Sequence, residues 1–188
     1  MSKLDQSQIV SCWEPEAETM IKILKTLMLL CVIVASITPL SAFAVAPRAE
    51  TAAIYEVGSI VIKTKTRELL YIKSLTETIR YPIAVGRAGR DWTGTTTVSR
   101  MVRNPIWAPP PAIRRDNPKL PKLVKPGPNN PLGVAVLVLG DGTYGIHGTN
   151  KDESIGKAAS YGCFRMHNAD VLALFEAVSI GTKVYVLQ

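Results

Sequence analysis

Two side chains in this sequence have the types and setting for nucleophilic chemistry. Cys163 lies in Ser160-Tyr161-Gly162-Cys163-Phe164-Arg165, and His147 heads His147-Gly148-Thr149-Asn150. A thiol attacks as thiolate, so a base or cation beside it must bring its pKa from about 8.5 toward roughly 3.5–7.5. His147 is the candidate base. Gly162, Ser160 and Arg165 around the cysteine describe a tight polar turn rather than an apolar core, the setting of a reactive thiol and not of an inert buried one.

Cys163 stands alone once the N-terminus is read. Two lysines at 22 and 25, an apolar run over 26–37 and the small-x-small Ala42-Phe43-Ala44 read as a secretory signal peptide, expected over 20–44. The acidic residues Asp5, Glu14, Glu16 and Glu18 do not suit a basic leader, so residues 1–19 are expected to lie upstream of a true start at Met20. Cys12 and Cys31 then never reach the folded domain. Exported proteins usually pair their cysteines, and an odd one left over points to a reactive thiol or an intermolecular bridge. The apolar run is also too short for an uncleaved anchor, which needs about 20 residues.

The chain has 188 residues and a net charge of +7. Residues 45–188 carry 19 Lys and Arg against 11 Asp and Glu, a net of +8. That size suits one domain. A basic exported domain meets anionic polymer, phosphate surfaces or acidic peptides, and export makes nucleic acid an unsuitable partner. The charge is scattered, which equally describes an ordinary solvated surface.

The elements that must position the pair read mainly as strands. Residues 45–57 form a linker. Segments 59–63 (SIVIK) and 68–73 (ELLYIK) flank a turn and predict a hairpin, and 78–85 predicts a third strand, with Pro82 placing it at an edge or bulge. Residues 86–90 read as a turn. The segment 104–133 holds nine of the 13 prolines, predicts neither helix nor central strand, and reads as a lid in which Trp107 supplies packing. Its Arg114, Arg115, Lys119, Lys122 and Lys125 would present positive charge to whatever it covers. The apolar run 133–139 predicts a buried central strand, 144–147 the next strand ending on His147, and 183–187 a closing strand. One helix is expected over 168–178, capped by Asn168, with Val171, Leu174, Phe175 and Val178 on its apolar face.

Taken together, HGTN at 147–150, SYGCFRM at 160–166, PGPNNPLG at 126–133 and NPIWAPP at 104–110 resemble the L,D-transpeptidase catalytic domain of the YkuD type, over about 58–187. The resemblance implies a mainly β, sandwich-like fold with one helix in its C-terminal half and a long Pro-rich lid, occupying 58–188. It implies a cysteine enzyme of the bacterial periplasm or cell wall, acting on peptidoglycan stem peptides; separately, a monomer without cofactor or metal is expected. In such enzymes the thiolate attacks the carbonyl of the stem's third residue, usually meso-diaminopimelate, and expels D-alanine. An amine then resolves the thioester into a 3→3 cross-link or a protein anchor, or water resolves it as in a carboxypeptidase.

Carried over by position, Cys163 resembles the nucleophile, His147 the base and Gly148 the residue whose carbonyl orients the imidazole. Backbone N–H groups of Tyr161, Gly162 and Cys163 would form an oxyanion hole. Arg165 resembles a carboxylate-holding residue, and Ser160, Trp107 and Thr149 are further substrate-binding candidates. Many relatives have histidine where Tyr161 stands, which puts leaving-group preference in doubt; His167 does not replace it and reads as part of the helix entry. Two rivals remain: a metal site of His147 and Cys163 completed by Asp141, Asp152 or Asp170, which lacks the usual four strong ligands, and a wall-binding module without catalysis.

Overall fold

Strand formation follows the β-branched and aromatic segments. The structure, a computed structural model, describes residues 54–188; the expected upstream segment, the signal peptide and positions 45–53 of the linker lie outside the described residues. In chain order the elements are β1 (Ile60–Lys63), β2 (Glu68–Ile72), β3 (Thr78–Pro82), β4 (Val85–Gly86), β5 (Gly94–Arg103), helix α1 (Pro111–Asp116), β6 (Ala135–Leu139), β7 (Tyr144–His147), a 3-10 turn (Asp152–Ser154), β8 (Ala158–Ser160), β9 (Phe164–Arg165), helix α2 (Asn168–Ala177) and β10 (Lys183–Leu187). Eight strands form one sheet in the order β3-β2-β1-β10-β5-β6-β7-β9, and β4 pairs with β8.

The sheet curls, so that Ile60, Ile62 and Leu69 from one half and Leu137, Leu139 and Ile146 from the other share a single core. On the opposite face of the first half, Val61, Leu70 and Ile72 pack with Tyr55, Tyr185 and Leu187. Cover on both faces explains why β1 is apolar without alternation. The β1–β2 hairpin has the expected antiparallel register, Ile60↔Tyr71 to Lys63↔Glu68. Strand β3 lies at the sheet edge with Pro82 as its last residue, where a missing N–H costs no ladder bond.

Three features depart from the sequence reading. Strand β5 was not expected, because only Val98 of its ten residues is buried and no apolar period marks it. Its threonines suit a strand, and a register shift between Val98 and Arg100 lets it pair with β10 on one stretch and β6 on the other. The Pro-rich segment does sustain a helix, α1. Proline is tolerated in a first turn, where its absent N–H would have no partner, and Pro111 opens this six-residue helix. Finally, Asn168 is not the cap of α2: His167 occupies that position without a side-chain cap bond. The helix itself packs on β6 and β7, burying Val171 and Leu174 completely.

Candidate active site

Parallel pairing of β7 with β9 sets Ile146 beside Phe164 and His147 beside Arg165. Ile146 and Phe164 face the core, so His147 and Arg165 face away from it. Cys163, two residues before Arg165, shares that outer face and stands level with Gly145, diagonal to His147. Diagonal cross-strand neighbours lie about 7–8 Å apart at Cα, within reach of side chains. Gly145 has no side chain to intervene, and its backbone N–H is near enough to pull the cysteine thiol's pKa down. Cys163 is free of any disulfide and partly exposed.

The imidazole is fixed by its own neighbour. His147 is 5 % exposed, and Nδ1 lies 2.6 Å from the Gly148 carbonyl oxygen. A carbonyl can only accept, so Nδ1 carries the proton and Nε2 keeps its lone pair. The strand end is held in turn by Gly148 N–H to Ala135 O (3.1 Å) and Met166 N–H to His147 O (2.8 Å). Asn168, freed from capping, joins three segments: its Oδ1 accepts from Val134 N–H (3.3 Å) and Thr149 N–H (3.1 Å), and its Nδ2 donates to Thr149 O (2.9 Å). A Cβ at Gly133 or Gly148 would collide with that amide oxygen, which is why both flanks of the His147 loop are glycine.

The turn before Cys163 is shaped by a hydroxyl and an indole. Ser160 Oγ donates to Cys163 O (2.5 Å) and accepts from Gly162 N–H (3.0 Å). Trp92 Nε1–H donates to Gly162 O (3.0 Å). The Trp92 ring stacks on Tyr144 at 4.8 Å and 15°, and tilts against Phe164 at 5.7 Å. Gly162 has φ +115°, and a Cβ there would strike the Tyr144 ring, so glycine is required on both grounds. Trp92, Tyr144 and Asn168 are the supporting residues that motif reading missed; an aromatic and a glycine 70 residues apart carry no local signal of contact.

The electrostatics run opposite to the expected resting thiolate. Burial pushes the Cys163 thiol above its ordinary value, outweighing the Gly145 N–H and the positive charge of Arg165, which both pull it down. Burial likewise lowers His147 from 6.5 to about 4, with Arg165 adding to the effect and the Gly148 bond opposing it. The resting pair is therefore neutral thiol and neutral imidazole. Arg165 is itself pulled down by burial, against the attraction of Cys163 and Glu153.

The other candidate residues are placed as follows. Ser160 and Thr149 are each 2 % exposed, and both hydroxyls are committed internally, that of Thr149 accepting from Lys151 N–H at 3.0 Å; they shape loops rather than offering themselves to a ligand. Trp107 sits within the lid, its backbone paired with Val124 at 2.9 and 2.8 Å. Buried Asn130 ties the lid base together by donating to Pro105 O (2.7 Å). Tyr161 turns toward the lid, where its hydroxyl donates to Asp116 (2.5 Å). His167 pairs with Asp152 at 3.1 Å, and Asp141 accepts from Thr143 N–H at 2.9 Å. Among the described residues no three His, Cys, Asp or Glu side chains converge as a metal site would require.

A family model for the L,D-transpeptidase catalytic domain, YkuD, matches residues 58–186. The chain belongs to that family. Over 137 residues it is 38 % identical to the probable L,D-transpeptidase ErfK/SrfK of Escherichia coli K12, covering 68 % of this chain and 43 % of that protein. It is 34 % identical over 134 residues to the putative L,D-transpeptidase YqjB of Bacillus subtilis, covering 68 % and 69 %. The chain thus spans less than half the length of the Escherichia coli relative. The fold is shared with L,D-transpeptidase 3 of Mycobacterium tuberculosis, at 15 % identity and a TM-score of 0.56 over 70 % of this chain and 61 % of that one. In this YkuD domain, no helix among the described residues is long and apolar enough to cross a membrane.

Proposed function

We propose that this YkuD domain is a peptidoglycan L,D-transpeptidase that works through a Cys163 thioester. The observation that carries the reading is the β7–β9 ladder, which sets a free, partly exposed cysteine diagonal to a buried histidine whose Nδ1 is tied to the Gly148 carbonyl. Nε2 is left as the base. Because thiol and imidazole rest neutral, the proton passes from Sγ to Nε2 as the sulfur attacks the stem-peptide carbonyl. Collapse of the tetrahedral intermediate breaks the peptide C–N bond, and the imidazolium gives its proton to the departing D-alanine amine. An amine of a second stem or of a protein then attacks the thioester, the C–S bond breaks, and the acceptor's proton returns through Nε2 to the thiolate.

The developing oxyanion is served by the backbone N–H groups of Tyr161 and Cys163, since that of Gly162 is taken by Ser160 Oγ. One such donor is typically worth about 2.7–4 kcal/mol. Arg165, on the same face as Cys163, favours the thiolate when it forms, and its proposed second role is to meet a substrate carboxylate. The proposed setting is the periplasm or cell wall, after removal of residues 20–44 as a signal peptide, with 58–188 as the catalytic domain.

Incubation with a disaccharide tetrapeptide, followed by mass spectrometry, tests the reading. A cross-linked dimer is expected, lost in Cys163→Ala. Tripeptide alone would establish water as the acceptor and the enzyme as an L,D-carboxypeptidase, and wild-type turnover in Cys163→Ala would discard the mechanism.

A further inference from the structure

Asp116 is the one acidic residue between Asn104 and Gly133, a segment otherwise rich in Lys and Arg. It ends helix α1, where a carboxylate opposes the helix dipole, so α1 itself gives it no reason to be there. Its partners lie outside the lid. One oxygen, Oδ2, accepts from both the Tyr161 hydroxyl (2.5 Å) and Arg87 Nη2 (2.7 Å). The Arg87 guanidinium lies 3.9 Å from the Tyr161 ring centroid and that of Arg90 5.6 Å from it. Arg87 N–H donates to Ser160 O at 3.0 Å, so the backbone of the cysteine turn fixes arginine and tyrosine together. The result is a clamp for one carboxylate, two residues from Cys163 and open to solvent, with side-chain exposures of 44 % at Arg87 and 46 % at Asp116.

We propose that Arg87 and the Tyr161 hydroxyl form a carboxylate subsite for the peptide substrate, and that Asp116 fills it in the free protein as an internal stand-in. This deepens the function proposed above and rests on it. A stem-peptide carboxylate displaces Asp116, and with it the latch holding α1 against the cysteine turn, so substrate binding and lid release are one event. An arginine with a phenolic hydroxyl suits a planar carboxylate.

The test compares alkylation of Cys163 in the full chain by iodoacetate, which carries a carboxylate, and by iodoacetamide, which does not; peptide mapping separates Cys163 from Cys12 and Cys31. Asp116→Ala should raise the iodoacetate to iodoacetamide rate ratio about two- to fivefold, the range a partly exposed ion pair supports. Adding Arg87→Gln should return the ratio to its wild-type value. An equal rise for both reagents means the lid merely opened, and a gain that survives Arg87→Gln means a bare change of field; either overturns the proposal. Alkylation needs no turnover, so this result stands apart from whether stem peptide is cross-linked. With active enzyme, tetrapeptides amidated at the C-terminal or at the side-chain carboxylate identify which group enters: Asp116→Ala should lower KM for the free peptide and leave it unchanged where the relevant carboxylate is gone, whereas the same shift for all three peptides would overturn the subsite.

Discussion

Acid should unfold this protein partly through His147. Burial lowers its pKa from 6.5 to about 4, whereas the unfolded chain protonates near the ordinary value. Above pH 6.5 the imidazole is neutral in both states and contributes no pH dependence. As pH falls below 6.5 the unfolded state takes up the proton first, so stability drops until the folded group titrates near pH 4, and below that the loss is constant. Each unit of pKa difference corresponds to about 1.36 kcal/mol. The loss is therefore about 2 kcal/mol by pH 5 and about 3 kcal/mol at the acid limit. Urea unfolding at pH 7.5, 6 and 5 reads it: with a slope near 2 kcal/mol per molar, the wild-type midpoint should fall by about 1 M between pH 7.5 and 5 beyond whatever His147→Gln shows. Glutamine cannot titrate but retains a donor for the Gly148 carbonyl. The lowered carboxylates Asp116 and Asp141 titrate below 3.8 and cancel in the comparison. Parallel loss of stability in the two proteins would refute a buried neutral histidine.

Two further outcomes are expected. The iodoacetamide rate at Cys163 should climb about tenfold per pH unit from pH 6 to 8, as for a thiol of unlowered pKa; a rate already flat from pH 5 to 8 would mean a resting thiolate–imidazolium pair. Asn168→Ala removes three hydrogen bonds around the His147 loop and should cost about 3 kcal/mol at about 1 kcal/mol each, seen as a lower melting temperature with reduced turnover; a melt unchanged from wild type would show the staple to be dispensable.

Much of the candidate site was legible in the residues themselves. Cys163 and His147 stand out because nucleophile and base are specific side-chain types in short polar contexts, and β6 and β7 because a continuous apolar run and its hairpin partner leave few alternatives. Strand β5 was invisible since its stability comes from two flanking partners and not from a buried face of its own, and α1 since nine prolines mask the one place where proline begins a helix.

The sequence by itself determined which side chains are candidates to react, the mainly β character of the chain and the family pattern that joins HGTN to SYGCFRM. Only the tertiary structure decided that Asn168 staples loops instead of capping, that Ser160 spends its hydroxyl inside the turn, that Trp92 buttresses Gly162 and that Asp116 reaches Tyr161. Burial also reversed the expected charge state of the Cys163–His147 pair. The reason is common to all of these: local pattern reports what a residue can offer, whereas hydrogen-bond partners and desolvation come from segments tens of residues away, brought together only when the sheet curls.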